Sequence, residues 1–338
     1  MSKSKWPPLR RLRLDGRAWL ALLAFGLFWF VALRAWPLVG REAAQLLGRW
    51  VHPGAAARLS PGAGGLFGGM ALEDIGSRFG LYALETAVVG LIGWLGLAMI
   101  ARERPLRLLT DAPRFRLGLA LFGLIACAGA VLAQRLIQTG GKIDLGWGVG
   151  SILAQAMWAA CLLVLTLTVG FFEEAIFRGG LLRLSPQWAW LVPFALMVNA
   201  GLFAGVHGAQ SPVEFVDRFA LGMALGYATL RLRGIELAVG LHAGFDFAAM
   251  LLHPGQLEHA PWTIAAPVAK AQIAAPGLPW QVELTAGAAM AVIFSVVAIL
   301  LTELVVRAAR VLGLGRRERV SVKTPAAWVL DEPEPVQV

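Results

Sequence analysis

The chain has 338 residues, of which 58% are hydrophobic and 15% charged, with a mean hydropathy of +0.67. Soluble domains are roughly half apolar and a quarter charged, so this composition excludes a freely soluble globular class and calls for lipid. The net charge of +9 does not signal a nucleic-acid partner, because the 30 Lys and Arg lie mostly in short segments between apolar runs rather than on a polar domain.

About 20 apolar residues are needed to cross a bilayer. Runs of that kind occupy 18–34, 81–100, 117–136, 149–171, 188–206, 215–231, 235–252 and 283–306. The sequence therefore predicts an all-α, polytopic membrane helix bundle of about eight transmembrane helices. Residues 1–148 form an N-terminal cytoplasmic segment and three spans with a long outer loop. Residues 149–252 form four spans, and residues 253–322 an outer loop and the last span. Residues 323–338 are an acidic, Pro-rich tail that cannot bury a core, and are expected to be disordered. The first apolar run follows a basic stretch, as a signal peptide would, but large residues fill it and no small-x-small site follows cleanly. It reads as a retained span. The long outer segments 34–80 and 253–282 read as connectors rather than as an interfacial helix or a lid. Cys127 and Cys161 lie inside apolar runs with no second Cys or His at metal spacing, and read as packing residues.

Eight crossings put both termini on one side. Of the 30 Lys and Arg, 21 fall on that side and 9 on the other, so the positive-inside rule predicts cytoplasmic termini. The bias toward Ala, Gly, Arg and Trp suggests a GC-rich bacterial genome and hence the bacterial inner (plasma) membrane.

Ionisable side chains inside a span cost several kcal/mol and persist where they face the protein interior and act there. The second half of the chain holds several. Phe171-Phe172-Glu173-Glu174-Ala175-Ile176-Phe177-Arg178 continues as a helical pattern to Leu184, where Ser185-Pro186 ends it. Glu174 and Arg178 are four residues apart and can pair on one face, which leaves Glu173 on a neighbouring face. Phe203-Ala204-Gly205-Val206-His207 closes the fifth run, and His242-Ala243-Gly244-Phe245-Asp246 lies within the seventh, with His242 and Asp246 one turn apart. A buried carboxylate with two imidazoles can serve as a general base with an electrophilic stabiliser. It can equally supply three ligands of a catalytic metal, Glu173, His207 and His242, with an open position. Glu42, Glu73, Asp74 and Glu85 read as interfacial, and His52, His253 and His259 as inert loop residues.

Glu173-Glu174-x-x-x-Arg178, Phe203-x-x-x-His207 and His242-x-x-x-Asp246, in that order on successive spans, resemble the three motifs of the CPBP intramembrane protease family. That family includes the C-a-a-X prenyl endopeptidase and bacterial abortive-infection or bacteriocin-immunity proteins. The resemblance covers roughly residues 150–252 and implies an eight-helix bundle with a cavity open to the cytosol. By motif it implies that Glu173 and His207 activate a water, His242 and residue 246 stabilise the oxyanion, and Glu174, Arg178 and Phe203 support the site. It also implies a peptide or membrane-associated protein as substrate, with a divalent metal such as zinc as the candidate cofactor. The motif usually ends in Asn where this chain has Asp246, and an ionised Asp cannot donate to an oxyanion. Two other functions compete: a catalytically silent scaffold or immunity factor, and a proton- or ion-coupled carrier. Retention of both glutamates and both histidines argues against the first, and the lack of an internal repeat argues against the second.

One expectation carries a geometric difficulty. At 1.5 Å per residue, Glu173 lies about 18 Å from Ser185, His242 about 10 Å from the turn before Ile235, and His207 about 28 Å from Trp188. The three meet only if the fifth helix tilts or starts later, and Pro193 makes a later start or a kink plausible.

Overall fold

A computed structural model of the protein describes residues 72–141, 152–184, 191–207, 212–252 and 280–314. The expected span at 18–34, most of the loop 34–80 with Glu42 and His52, the segment holding His253 and His259, and the acidic tail lie outside the described residues. Among the described residues the structure is helical throughout, and its only β-type pairing is one isolated bridge between Thr110 and Gly234. The helices are α1 (Leu72–Ile100), α2 (Pro105–Leu109), α3 (Leu117–Gln138), α4 (Ile152–Glu174), α5 (Leu182–Leu184), α6 (Val192–Val206), α7 (Pro212–Leu232), α8 (Glu236–Leu252) and α9 (Trp280–Val311). Between α4 and α5 the helix continues as a π-helix over Ala175–Leu181. Seven of the apolar runs thus coincide with long helices. Two stretches, Leu117–Ile137 and Ala159–Leu181, are long and apolar enough to cross a membrane by length and composition.

Helix α8 is the axis of the packing, against α3, α4 and α7. Its first nine residues, from Glu236 through Gly244, are all buried. Small residues make this possible. A Cβ on Gly240 would collide with the backbone carbonyl of Ala120, and one on Gly244 would lie 2.5 Å from that of Leu124. Glycines four apart thus let the α3 and α8 backbones touch, as small-x-x-x-small pairs do between apolar helices. On the other side, Leu119, Leu225, Leu232, Leu237, Leu241, Val306 and Ala309 join α3, α7, α8 and α9 in one apolar cluster. Cys127 packs against that cluster and Cys161 against a second one around Leu162, Leu165 and Val169; both are free thiols.

The outside of the bundle is apolar where a soluble protein would be polar. On α9, Val292, Ile293, Val296, Val297, Leu300, Leu301 and Leu304 are all exposed, and on α6 so are Phe194, Met197, Val198 and Leu202. Stripes sustained over several turns need an apolar medium or partner.

One end of the bundle is stitched by charge. Arg183 and Arg233 donate to the two oxygens of Asp111 at 2.7 and 2.8 Å. Arg116 grips the fully buried Glu236 through Nε and Nη2 at 3.0 and 2.9 Å and also reaches the Leu232 carbonyl. Arg231 takes Glu303 in the same two-pronged way, with Tyr227 donating to it at 2.8 Å. The residues gathered here come from α5, from the C-terminal parts of α7 and α9, and from the segments around α2 and before α8. Burial pushes the Asp111 carboxyl up, but Arg183 and Arg233 pull harder and hold it below the ordinary carboxylate value.

Candidate active site

The polar residues singled out in the sequence converge in the bundle interior. The last turn of α4 delivers Glu173 and Glu174 side by side, and the π-helix after it delivers Arg178. Arg178 Nη1 donates to Glu174 Oε1 at 2.8 Å with both side chains fully buried. Its Nη2 donates to the Gly222 carbonyl of α7 at 3.2 Å, and its guanidinium lies 4.3 Å over the Phe203 ring. The expected Glu174–Arg178 pair therefore forms, with both side chains shielded from solvent.

The π-helix is what lets this segment fit. A π turn inserts a residue and widens the helix, which is common where a side chain must be re-aimed. Asn199 of α6 pins it by donating from Nδ2 to the Phe177 carbonyl at 2.8 Å. Gly179 allows the Leu108 carbonyl of α2 to lie only 3.0 Å from where a Cβ would be.

Helix α6 begins at Val192 with Pro193 in its first turn and ends at Val206, so that His207 forms the C-cap. The start four residues later than Trp188 shortens the expected climb by about 6 Å, which removes part of the expected mismatch in depth. His207 Nε2 stands 3.5 Å from Glu173 Oε2, and His242 Nε2 stands 3.8 Å from the same oxygen. That oxygen is buried and has no hydrogen-bond partner of its own. Asp246 Oδ2 approaches His242 Nε2 at 3.4 Å.

Each imidazole is fixed through its other nitrogen. His207 Nδ1 meets the Phe203 carbonyl at 2.6 Å, and since a carbonyl only accepts, Nδ1 carries the proton. His242 Nδ1 meets Glu174 Oε1 at 3.0 Å. Carboxylates thus face His242 at both nitrogens, and the ring satisfies them only as a donor on each side. The Phe203 ring lies against both histidines, with centroids 4.7 Å from His207 and 5.6 Å from His242, and edge-on to Phe177 at 5.4 Å. Phe203 is the hydrophobic wall against which Arg178, His207 and His242 are held.

The arrangement separates the two glutamates by role. Glu174 is committed to Arg178 and His242, while Glu173 is aimed at the space between two imidazoles. Donors of this chemistry could in principle bind a divalent metal, and each histidine has the second-nitrogen anchor that metal ligands usually have. Yet no group of three or more His, Cys, Asp or Glu is placed as a ligand set among the described residues. The chemistry proposed for the site is therefore derived from its side chains alone.

Sequence reasoning missed four contributors. Asn199 lies four and eight residues before Phe203 and His207, hence on their face, and a polar residue in an apolar run is a readable signal. Glu236, inside the seventh apolar run, could have been noticed by the same rule, and its partner Arg116 stands just before the third. Arg218, whose Nη1 reaches the His207 carbonyl at 3.4 Å, is a charge inside the sixth apolar run. The π-helix itself has no signal in composition.

Compared with known proteins, residues 155–248 match the family described as type II CAAX prenyl endopeptidase Rce1-like. No curated protein and no solved structure matches the chain.

Proposed function

We propose, from the match of residues 155–248 to the family described as type II CAAX prenyl endopeptidase Rce1-like, that the chain is an intramembrane endopeptidase working through a Glu173–His207 centre. The observation that carries this reading is the buried, unpartnered Glu173 Oε2 facing two anchored imidazole Nε2 atoms. A water lying against Glu173 Oε2 and His207 Nε2 meets acceptors on both sides, which orients its oxygen lone pair outward. As that oxygen attacks the scissile carbonyl, Glu173 takes its proton. The negative charge then develops on the former carbonyl oxygen, where His242 donates from Nε2. Collapse of the tetrahedral intermediate breaks the C–N bond, and the proton held by Glu173 passes to the leaving amine. The products are one carboxylate and one amine.

Glu174 and Arg178 touch no reacting atom in this scheme. They orient His242 and keep its Nδ1 bonded, as the buried acid of a hydrolytic triad does for its histidine. The wider proposal is a chain of about eight crossings in the bacterial inner membrane with both termini cytoplasmic. The site would then open toward the charged end of the bundle, and the substrate would be a peptide or membrane-associated protein. The family's description makes peptides ending in a prenylated C-a-a-X sequence the first to try.

Glu173→Gln tests the reading, because it preserves size while deleting basicity. In detergent micelles, a mixed library of unmodified and S-farnesylated peptides, read by mass spectrometry, should yield cleaved products with wild type and none with the variant. The variant should retain the wild-type melting profile. Cleavage by Glu173→Gln at the wild-type rate would overturn the assignment.

A further inference from the structure

We propose that Asn199 of α6 is the positioning residue that holds His207 at the level of Glu173. The inference rests on the peptidase reading above and deepens it. Glu173 and His207 belong to different elements, one to the last turn of α4 and the other to the C-cap of α6. Their facing atoms stand 3.5 Å apart, and the chemistry requires that they stay so. Apolar contacts alone do not fix the height of one helix against another, because they are non-directional. A hydrogen bond does, through its distance and angle.

Helix α6 packs on the π-helix that continues α4, and Asn199 Nδ2 donates there to the Phe177 carbonyl at 2.8 Å. Phe177 lies four residues after Glu173, and Asn199 lies eight before His207, on the stripe of α6 that carries Phe203 and His207. The bond therefore ties the segment that presents the base to the helix that presents the imidazole. The Phe177 carbonyl also accepts from the Leu182 N–H five residues on, and its two lone pairs accommodate both donors. Without Asn199 that carbonyl would still be satisfied, so the amide is not needed to avoid a stranded backbone group. Its presence has a cost instead. Asn199 is buried in a helix whose other residues are all apolar, and its Oδ1 has no hydrogen-bond partner. An unpaired buried amide oxygen destabilises the fold. What the side chain supplies in return is position, since the Phe177 carbonyl is the point at which α6 is pinned and Arg178, the next residue, holds Glu174.

Separating turnover from stability is the test. Wild type, Glu173→Gln, Asn199→Ala, Asn199→Leu and Leu196→Ala are compared in detergent micelles, by cleavage of whichever library peptide wild type cleaves and by denaturant titration. The two Asn199 variants both delete the donor, one leaving space and the other filling it, so one remains informative if the other folds poorly. Each should lower kcat by about 10²-fold, the cost of misplacing reacting groups by about 1 Å, with KM within about threefold of wild type. Leu196, on the same helix and buried against Gly226 of α7, is the control. Leu196→Ala opens a cavity and should lower the unfolding midpoint more than Asn199→Ala does, yet keep kcat within about threefold of wild type. Normal kcat in both Asn199 variants would overturn the proposal, and so would a loss confined to KM. It also fails if Leu196→Ala loses as much kcat as Asn199→Ala, because activity would then track the stability of α6. Unfolding of both Asn199 variants before Leu196→Ala would make the bond a structural one and sink the idea equally. If wild type cleaves, Glu173→Gln does not, and the Asn199 variants are normal, only the role of Asn199 is lost. If wild type cleaves nothing, the peptidase reading fails and takes this inference with it.

Discussion

Arg178→Met should unfold the site from within. In the structure the guanidinium serves three neighbours at once: Glu174 Oε1 at 2.8 Å, the Gly222 carbonyl at 3.2 Å and the Phe203 ring at 4.3 Å. Methionine fills much of the volume but strands Glu174 as a buried anion and leaves a buried carbonyl of α7 without its donor. Removing one partner of a buried pair costs about 3–5 kcal/mol, which shifts a folding equilibrium by roughly two to four powers of ten. The loss should appear as earlier unfolding in a denaturant titration in detergent micelles, followed by tryptophan fluorescence. Most of it comes from the stranded charge, so adding Glu174→Gln should recover part of the stability, since Gln Oε1 can still accept from His242 Nδ1. Arg178→Lys keeps the charge but not the fork, cannot serve Glu174 and Gly222 together, and should lose much of the activity. If Arg178→Met unfolds within about 1 kcal/mol of wild type, the pair is not the dry clamp that its burial implies.

Two further outcomes follow from the charged end of the bundle. Asp111 has its folded pKa lowered, because Arg183 and Arg233 outweigh the upward push of burial. Its stabilising contribution is therefore full above the unfolded value, near ~3.9, and is lost as pH falls through the folded value. Acid unfolding curves of wild type and Asp111→Asn should converge at the lowest pH and separate above it, with wild type more stable; parallel curves throughout would refute the linkage. Reporter fusions at Ser2 and after Val338 should both read cytoplasmic if the chain crosses an even number of times with its positive side inside, and an outside signal from either would overturn the span count.

Much of the site was legible because the chemistry is written in local spacing. Glu174 and Arg178 at four residues had to share a face, and His242 and Asp246 likewise, so two of the contacts followed from helical periodicity alone. The helices were legible for a related reason, since apolar runs at bilayer length leave few other conformations for the backbone. What periodicity could not supply was depth. His207 was placed about 6 Å too far along its helix because the start of α6 was read from the apolar run at Trp188 rather than from Pro193, which favours the first turn of a helix. The π-helix at Ala175–Leu181 was illegible for a deeper reason. Its residues, Ala-Ile-Phe-Arg-Gly-Gly-Leu, suit an α-helix as well, and the choice is made by what they pack against, Leu108 on one side and Asn199 on the other. Tertiary contacts of that kind carry no mark in the segment itself.

The division of labour between the adjacent glutamates follows from the same distinction between local and tertiary information. In sequence the two are equivalent except that one has an arginine four residues on. In the fold that arginine commits Glu174 to Arg178 and, through its Oε1, to His242 Nδ1, so Glu174 is held by two donors. Glu173, one residue earlier and about 100° around the helix, is left against imidazole nitrogens alone. The pairing of Glu174 is therefore what leaves Glu173 available.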